Sequence, residues 1–140
     1  MSVAVLVRPY DNPEFIKRSV AEALDKRFSL KLVSVIDFPS VIVDNHKIGE
    51  VEVLRRDAEE ALASISKELQ SMGYEADYEV KLGDFAECLE DVISRGEVDF
   101  LAYIVRGFGK AKLEKGFDEK VHSIMLRHPG KIMLLKRITE

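Results

Sequence analysis

Residues Asp99 to Lys112 read DFLAYIVRGFGKAK. Phe100, Leu101, Ala102, Tyr103, Ile104 and Val105 make a near-continuous apolar run. A short apolar run without alternation is a strand covered on both faces, and such strands belong to parallel sheets. The run then breaks into Arg106, Gly107, Gly109, Lys110 and Lys112. Glycines let backbone N–H groups approach a ligand and cations neutralise it, so this end of the strand is a candidate cradle for phosphate or another anion.

The same reading extends in both directions. Val3 to Val7 is a second fully apolar run, closed by Pro9, Asp11, Asn12 and Pro13. Asn12 is a good N-cap and Pro13 a good first helical residue. Ile16, Val20, Ala23 and Leu24 recur at helical spacing, predicting a helix to about Arg27. Leu30 to Ile36 is another strand, and Asp37 to Lys47 an irregular connection carrying Val41, Ile42 and Val43. Val51, Leu54, Ala58, Leu62, Ile65, Leu69 and Met72 step by three or four, an amphipathic helix of about six turns whose stripe is read as core. Gly73 suits its end. Tyr74, Ala76, Tyr78, Val80 and Leu82 alternate with charged residues, the pattern of a half-exposed edge strand. Asp84 caps a helix with Phe85, Leu89, Val92 and Ile93 on one face, and Gly96 ends it. After the opening stretch, Phe117, Val121, Ile124 and Met125 predict a fourth helix, Pro129-Gly130 stops it, and Ile132 to Leu135 is a fifth strand. Strands and helices alternate throughout, which predicts an open five-stranded parallel sheet with helices on both faces.

Composition narrows the function. The chain of 140 residues fits one domain, residues 1–140, and carries no internal repeat. Its net charge of -4 argues against nucleic acid as a partner. The single cysteine, Cys88, fits a reducing compartment. No apolar run reaches bilayer length, and the first residues lack the basic region of a signal peptide, so the expectation is a cytoplasmic protein with no membrane partner.

In open sheets of this kind, ligands sit beyond the carboxyl ends of the strands, where strand order reverses. That rule selects Arg8 and Pro9, Asp37, Gly83, and the run Arg106, Gly107, Gly109, Lys110 and Lys112 as candidate residues for an anion or nucleotide. Two arginines can fork onto phosphate oxygens. The competing reading is a solvated loop whose glycines make turns. Asp37 equally serves as a turn residue, and Asp11 and Asn12 as helix-start residues. Asp44, His46 and Glu50 match no closed metal site, so no metal is expected. Glu87 and Glu90 beside Cys88 oppose a thiolate, and no serine sits in a glycine elbow, so no catalytic residue is assigned.

The chain resembles a universal stress protein domain over essentially its whole length. The resemblance rests on Val33-Ser34-Val35-Ile36-Asp37, on Val80-Lys81-Leu82-Gly83-Asp84-Phe85-Ala86-Glu87, on Val98-Asp99-Phe100-Leu101-Ala102, and on Leu126-Arg127-His128-Pro129 with Ile132 to Arg137. It implies a Rossmann-like, adenine nucleotide alpha hydrolase-like sheet of strand order 3-2-1-4-5. It further implies a non-enzymatic role in stress response or regulation, and a homodimer paired through Ile132, Met133, Leu134 and Leu135. Nucleotide-binding members carry an aspartate at the end of strand one, where Arg8 stands here. They carry glycine-x-x-glycine, nine residues, then glycine and a hydroxyl residue after strand four. Here Ile104 takes the first glycine's place, Gly107 matches the second, and Phe117-Asp118 falls where glycine and the hydroxyl residue belong. The resemblance therefore implies a degenerate nucleotide-binding motif, no ordinary ATP binding and no resident cofactor. The alternative is a small-molecule sensor that takes a nucleotide or other anion through the basic loop.

Overall fold

The computed structural model describes residues 1–8, 11–37, 45–96, 98–105 and 121–136. Five strands, β1 (Ser2–Leu6), β2 (Ser29–Asp37), β3 (Glu75–Gly83), β4 (Phe100–Val105) and β5 (Ile132–Lys136), form one sheet in the order β3-β2-β1-β4-β5. All four pairings are parallel. The connections carry helices α1 (Pro13–Ala23), α2 (Asn45–Ser71), α3 (Phe85–Ser94) and a fourth, α4, helical over 121–127. The expected architecture and strand order are both present.

Strand alternation sorts the apolar residues into two layers. Val3 and Val5 of the first strand, with Val7 just beyond its end, point to one side, where they pack with Ile16 and Val20 of α1 and Leu62, Ile65 and Leu69 of α2. Ala4 and Leu6 point to the other, against Phe85 and Leu89 of α3 and Val121 and Ile124 of α4. The central strands are thus largely apolar because both their faces are covered, with Lys31 and Ser34 as polar interior positions of β2. β3 is an edge strand as expected. Its residue Ala76 is buried, but Tyr78 and Leu82 remain 39% and 44% exposed, as suits a strand with a strand neighbour on one side only.

Caps set the helix ends. The Asn12 side chain accepts from Glu14 N at 2.9 Å, and Asp84 accepts from Glu87 N at 3.0 Å. Gly73 holds φ +99° while Tyr74 N donates to Leu69 O and Gly73 N to Gln70 O, so the helix closes in the left-handed turn that glycine tolerates. Two boundaries differ from the sequence reading. α1 stops at Ala23 rather than Arg27, because Leu24 turns extended and buries its side chain. Its carbonyl is then held by the Tyr74 hydroxyl at 2.8 Å. α2 begins at Asn45, six residues before the first apolar position of its stripe.

Candidate functional site

Strand order reverses at β1, whose neighbours are β2 and β4. β1 pairs with β4 only from Val3↔Phe100 to Val5↔Ala102. On its other side it stays with β2 further, since Val7 N still donates to Val33 O at 2.8 Å. Beyond Val5 the first and fourth strands therefore part, and a crevice opens at the topological switch point.

The Arg8 side chain enters that crevice. Its Nη1 donates to the Tyr103 hydroxyl and its Nη2 to the Ile104 carbonyl, both at 2.9 Å. Its Nε donates to Asp11 Oδ2 at 3.1 Å, and that oxygen also accepts the Arg8 backbone N–H at 2.7 Å. The guanidinium carbon lies 4.9 Å from the Tyr103 ring centre, within reach of the ring's negative face. The Arg8 and Asp11 side chains are 1% and 3% exposed. A buried charge persists only when paired and hydrogen-bonded, and this one is both. Arg8, a candidate ligand for an anion, sits instead inside an internal network joining the first and fourth strands.

Ile104, the residue in place of a glycine, is 3% exposed and packs in the layer of α1 and α2. Its side chain completes the core, and its carbonyl anchors Arg8. Asp11 is more than a helix-start residue: Asn12 does the capping, while Asp11 turns back and closes the tight turn with Asp11 N donating to Arg8 O at 3.0 Å. An aspartate thus does stand where the first strand leaves the sheet, with an oxygen committed to Arg8. The sequence reading placed Tyr103 only in the apolar run and Asp11 only at the helix start. A tyrosine within an otherwise apolar buried strand is the signal for the first, since a buried phenol requires a partner. The Arg-Pro-x-Asp spacing is the signal for the second.

On the β2 side of this network lies a cleft of about 390 Å³. Its walls include Val7 of the strand exit, Ile36 of β2, and Leu54, Ala58, Ala61 and Leu62 of α2. Ser34, Asp11 and Asp57 supply polar atoms, and Arg8 is the basic residue of the lining. With Arg8 bound to Asp11, Asp57 leaves the described walls acidic rather than basic.

The remaining candidates fall elsewhere. Asp37 ends β2 opposite Gly83 in register. Gly83 has φ +138°, a conformation that side chains rarely adopt, and a Cβ there would meet Cys88 Sγ at 3.5 Å. It turns β3 into α3 and is absent from the cleft lining. Burial pushes the Cys88 thiol up, Asp84, Asp91 and Glu87 add to this, and Lys81 partly offsets it. Pro9, Arg106, Gly107, Gly109, Lys110 and Lys112 lie outside the described residues. β5 is the edge opposite β3; Ile132 and Met133 are half-buried against the two core layers and Leu135 is buried. Among the described residues, no helix is long and apolar enough to cross a membrane, and no cluster of three ligating side chains is present.

No protein-family model matches the chain, and no curated protein matches it. Solved structures do. The universal stress protein UspA from Lactobacillus plantarum aligns with a TM-score of 0.67 at 15% identity, over 95% of this chain and 97% of that one. The universal stress protein from Archaeoglobus fulgidus aligns at 0.61 and 13% identity, over 97% and 93%. A universal stress protein family protein from Arabidopsis thaliana, with AMP bound, aligns at 0.59 and 16%, over 98% and 93%. Over these aligned lengths the described fold is that of the universal stress proteins.

Proposed function

We propose that the chain is a universal stress protein-like regulatory module of the cytoplasm, acting as a homodimer, without catalysis and without ordinary ATP binding. The observation that carries the ligand part is the Arg8 network. The crevice where this fold takes ligands is spanned by a buried guanidinium hydrogen-bonded to Asp11, Tyr103 and the Ile104 carbonyl. A nucleotide entering there has to displace an ion pair that burial makes costly to break. The absence of an assigned catalytic residue rests on the sequence, which offers no nucleophile with a base partner.

The dimer reading draws on β5. It is an edge strand whose outer backbone groups have no partner among the strands of the sheet, and its sequence Ile132, Met133, Leu134 and Leu135 is apolar. A twin strand pairs such an edge in an isologous contact. Sedimentation at micromolar concentration reads this directly, and a monomer there removes the dimer.

Thermal denaturation with millimolar ATP, ADP and AMP tests the ligand part. A nucleotide at a hundred times its Kd stabilises by about 2.7 kcal/mol, a shift of several degrees for a domain of this size. The expected result is no shift. The AMP bound to the Arabidopsis neighbour favours one second reading, a sensor taking a nucleotide or other anion through Arg106, Gly107, Gly109, Lys110 and Lys112. A shift that vanishes in Arg106→Ala and Lys110→Ala establishes that reading over the first.

A further inference from the structure

We infer that the cleft between the ends of β1 and β2 and the middle of α2 binds a small organic cation with an apolar body, held by Asp57 and Ser34. Its volume of about 390 Å³ falls in the range of about 300–1,000 Å³ typical of small-molecule sites. Ile36, Leu54, Ala58 and Leu62 give it apolar walls for the body of such a ligand.

Two polar groups choose the class. Asp57 has no ion pair among the described residues, whereas its neighbour on the helix, Arg55, is occupied by Glu52 and Glu59. Arg56 adjoins Asp57 in sequence, but adjacent residues on a helix do not face each other. At the back of the cleft Arg8 and Asp11 are ion-paired with each other. Outside that pair Asp57 is the charged side chain of the described lining, and its carboxylate favours a cation and disfavours phosphate or carboxylate.

Ser34 supplies the second contact. Leu30 and Leu32 place the even positions of β2 on the α2 side, and Val33 and Val35 the odd ones on the other. Ser34 thus faces the cleft it lines. It is 4% exposed, and its hydroxyl has no hydrogen bond among the described residues. Ser34 Oγ is not among the sealed polar atoms left without a partner (among the described residues that is Ser19 Oγ), so it opens to the cleft, where a ligand donor or acceptor can bond it. The inference does not depend on the dimer or on the nucleotide result, which are read by separate measurements.

Tryptamine, its neutral alcohol counterpart tryptophol, and indole-3-acetate share one apolar body and differ in charge. Titrated at millimolar concentration into the ¹⁵N-labelled chain, tryptamine is expected to move the amide signals of Val7, Ser34, Ala58 and Ala61. Tryptophol binds more weakly and indole-3-acetate weakest. Asp57→Asn lowers tryptamine affinity roughly threefold to tenfold, since the carboxylate is exposed and screened, and leaves tryptophol unchanged. Ala58→Phe fills the cleft from a partly exposed helix position and abolishes binding of both, with the unshifted amide spectrum reporting that the fold is intact. The inference is overturned if tryptamine moves no cleft signal, if indole-3-acetate binds as well as tryptamine, or if binding survives Ala58→Phe or is indifferent to Asp57→Asn.

Discussion

The two halves of α2 carry the same apolar stripe and meet different surroundings. In the second half, Leu62, Ile65 and Leu69 are 1%, 1% and 0% exposed, packed on β1 and β2. In the first half, Leu54 is 53% exposed, and Val53 beside it 57%. The cause is length. At about 1.5 Å per residue the helix runs roughly 40 Å, while β2 spans roughly 30 Å. Returning from the carboxyl end of the sheet, α2 spends its first turns beyond the strands. Periodicity states which side of a helix is apolar; it does not state whether anything is there to meet it. The stretch where the helix leaves the sheet, Leu54 to Ile65, becomes a wall of the cleft.

The largest expected effect tests the floor of that cleft. Arg8→Ala strips the buried partner from Asp11, the Tyr103 hydroxyl and the Ile104 carbonyl together. A loss of about 3–5 kcal/mol is expected in urea denaturation, as for other broken buried pairs. A loss below about 1 kcal/mol would show that the guanidinium does not hold the strands.

Next comes a direct comparison of the halves with one substitution. Leu69→Ala is expected to cost about 2–5 kcal/mol, because it leaves a cavity under a fully buried side chain. Leu54→Ala, the same change four turns earlier in the same stripe, is expected to cost less than about 0.5 kcal/mol. Equal losses would mean that the overhanging half is buried in solution.

The smallest effect lies on the outer strand. Glu79 is bonded by Lys31 at 2.7 Å and Lys81 at 3.0 Å. The Lys31 hydrogen bond, against the opposing effect of burial and with help from Lys81, holds its carboxyl below the usual range. A lowered folded-state value means that the pair stabilises the protein above about pH 5 and that this is lost as the pH falls through the lowered value. The group is about a third exposed, so solvent screening limits the effect to a few tenths of a kcal/mol. Glu79→Gln is expected to remove that much at pH 7 and nothing at pH 2, read from denaturation midpoints. A larger difference at pH 2 would reverse the sign.

Much of the fold was legible because it is written in local patterns. The apolar runs at Val3 and Phe100 announced strands covered on both faces, and Asn12, Asp84 and Gly73 marked helix ends with chemistry that acts within a few residues. The candidate site was legible only as a location. Arg8 was visible as a cation at the end of a strand, but its partners Tyr103 and Ile104 lie 95 and 96 residues away along the chain. Ile104 was visible as a glycine's replacement, and its packing direction came from the register of the fourth strand.

The sequence by itself determined the alternation of strands and helices, the two-sided burial of the sheet and its order through the family it resembles. Hydrophobic period, capping and turn chemistry are short-range and can be read along the chain. Only the tertiary structure decided that Arg8 faces inward to Tyr103 and that Ser34 and Asp57 line one cleft. It also decided that half of the α2 stripe overhangs the sheet. Those facts depend on where parallel strands part and how far a helix outruns them, distances that no local pattern encodes.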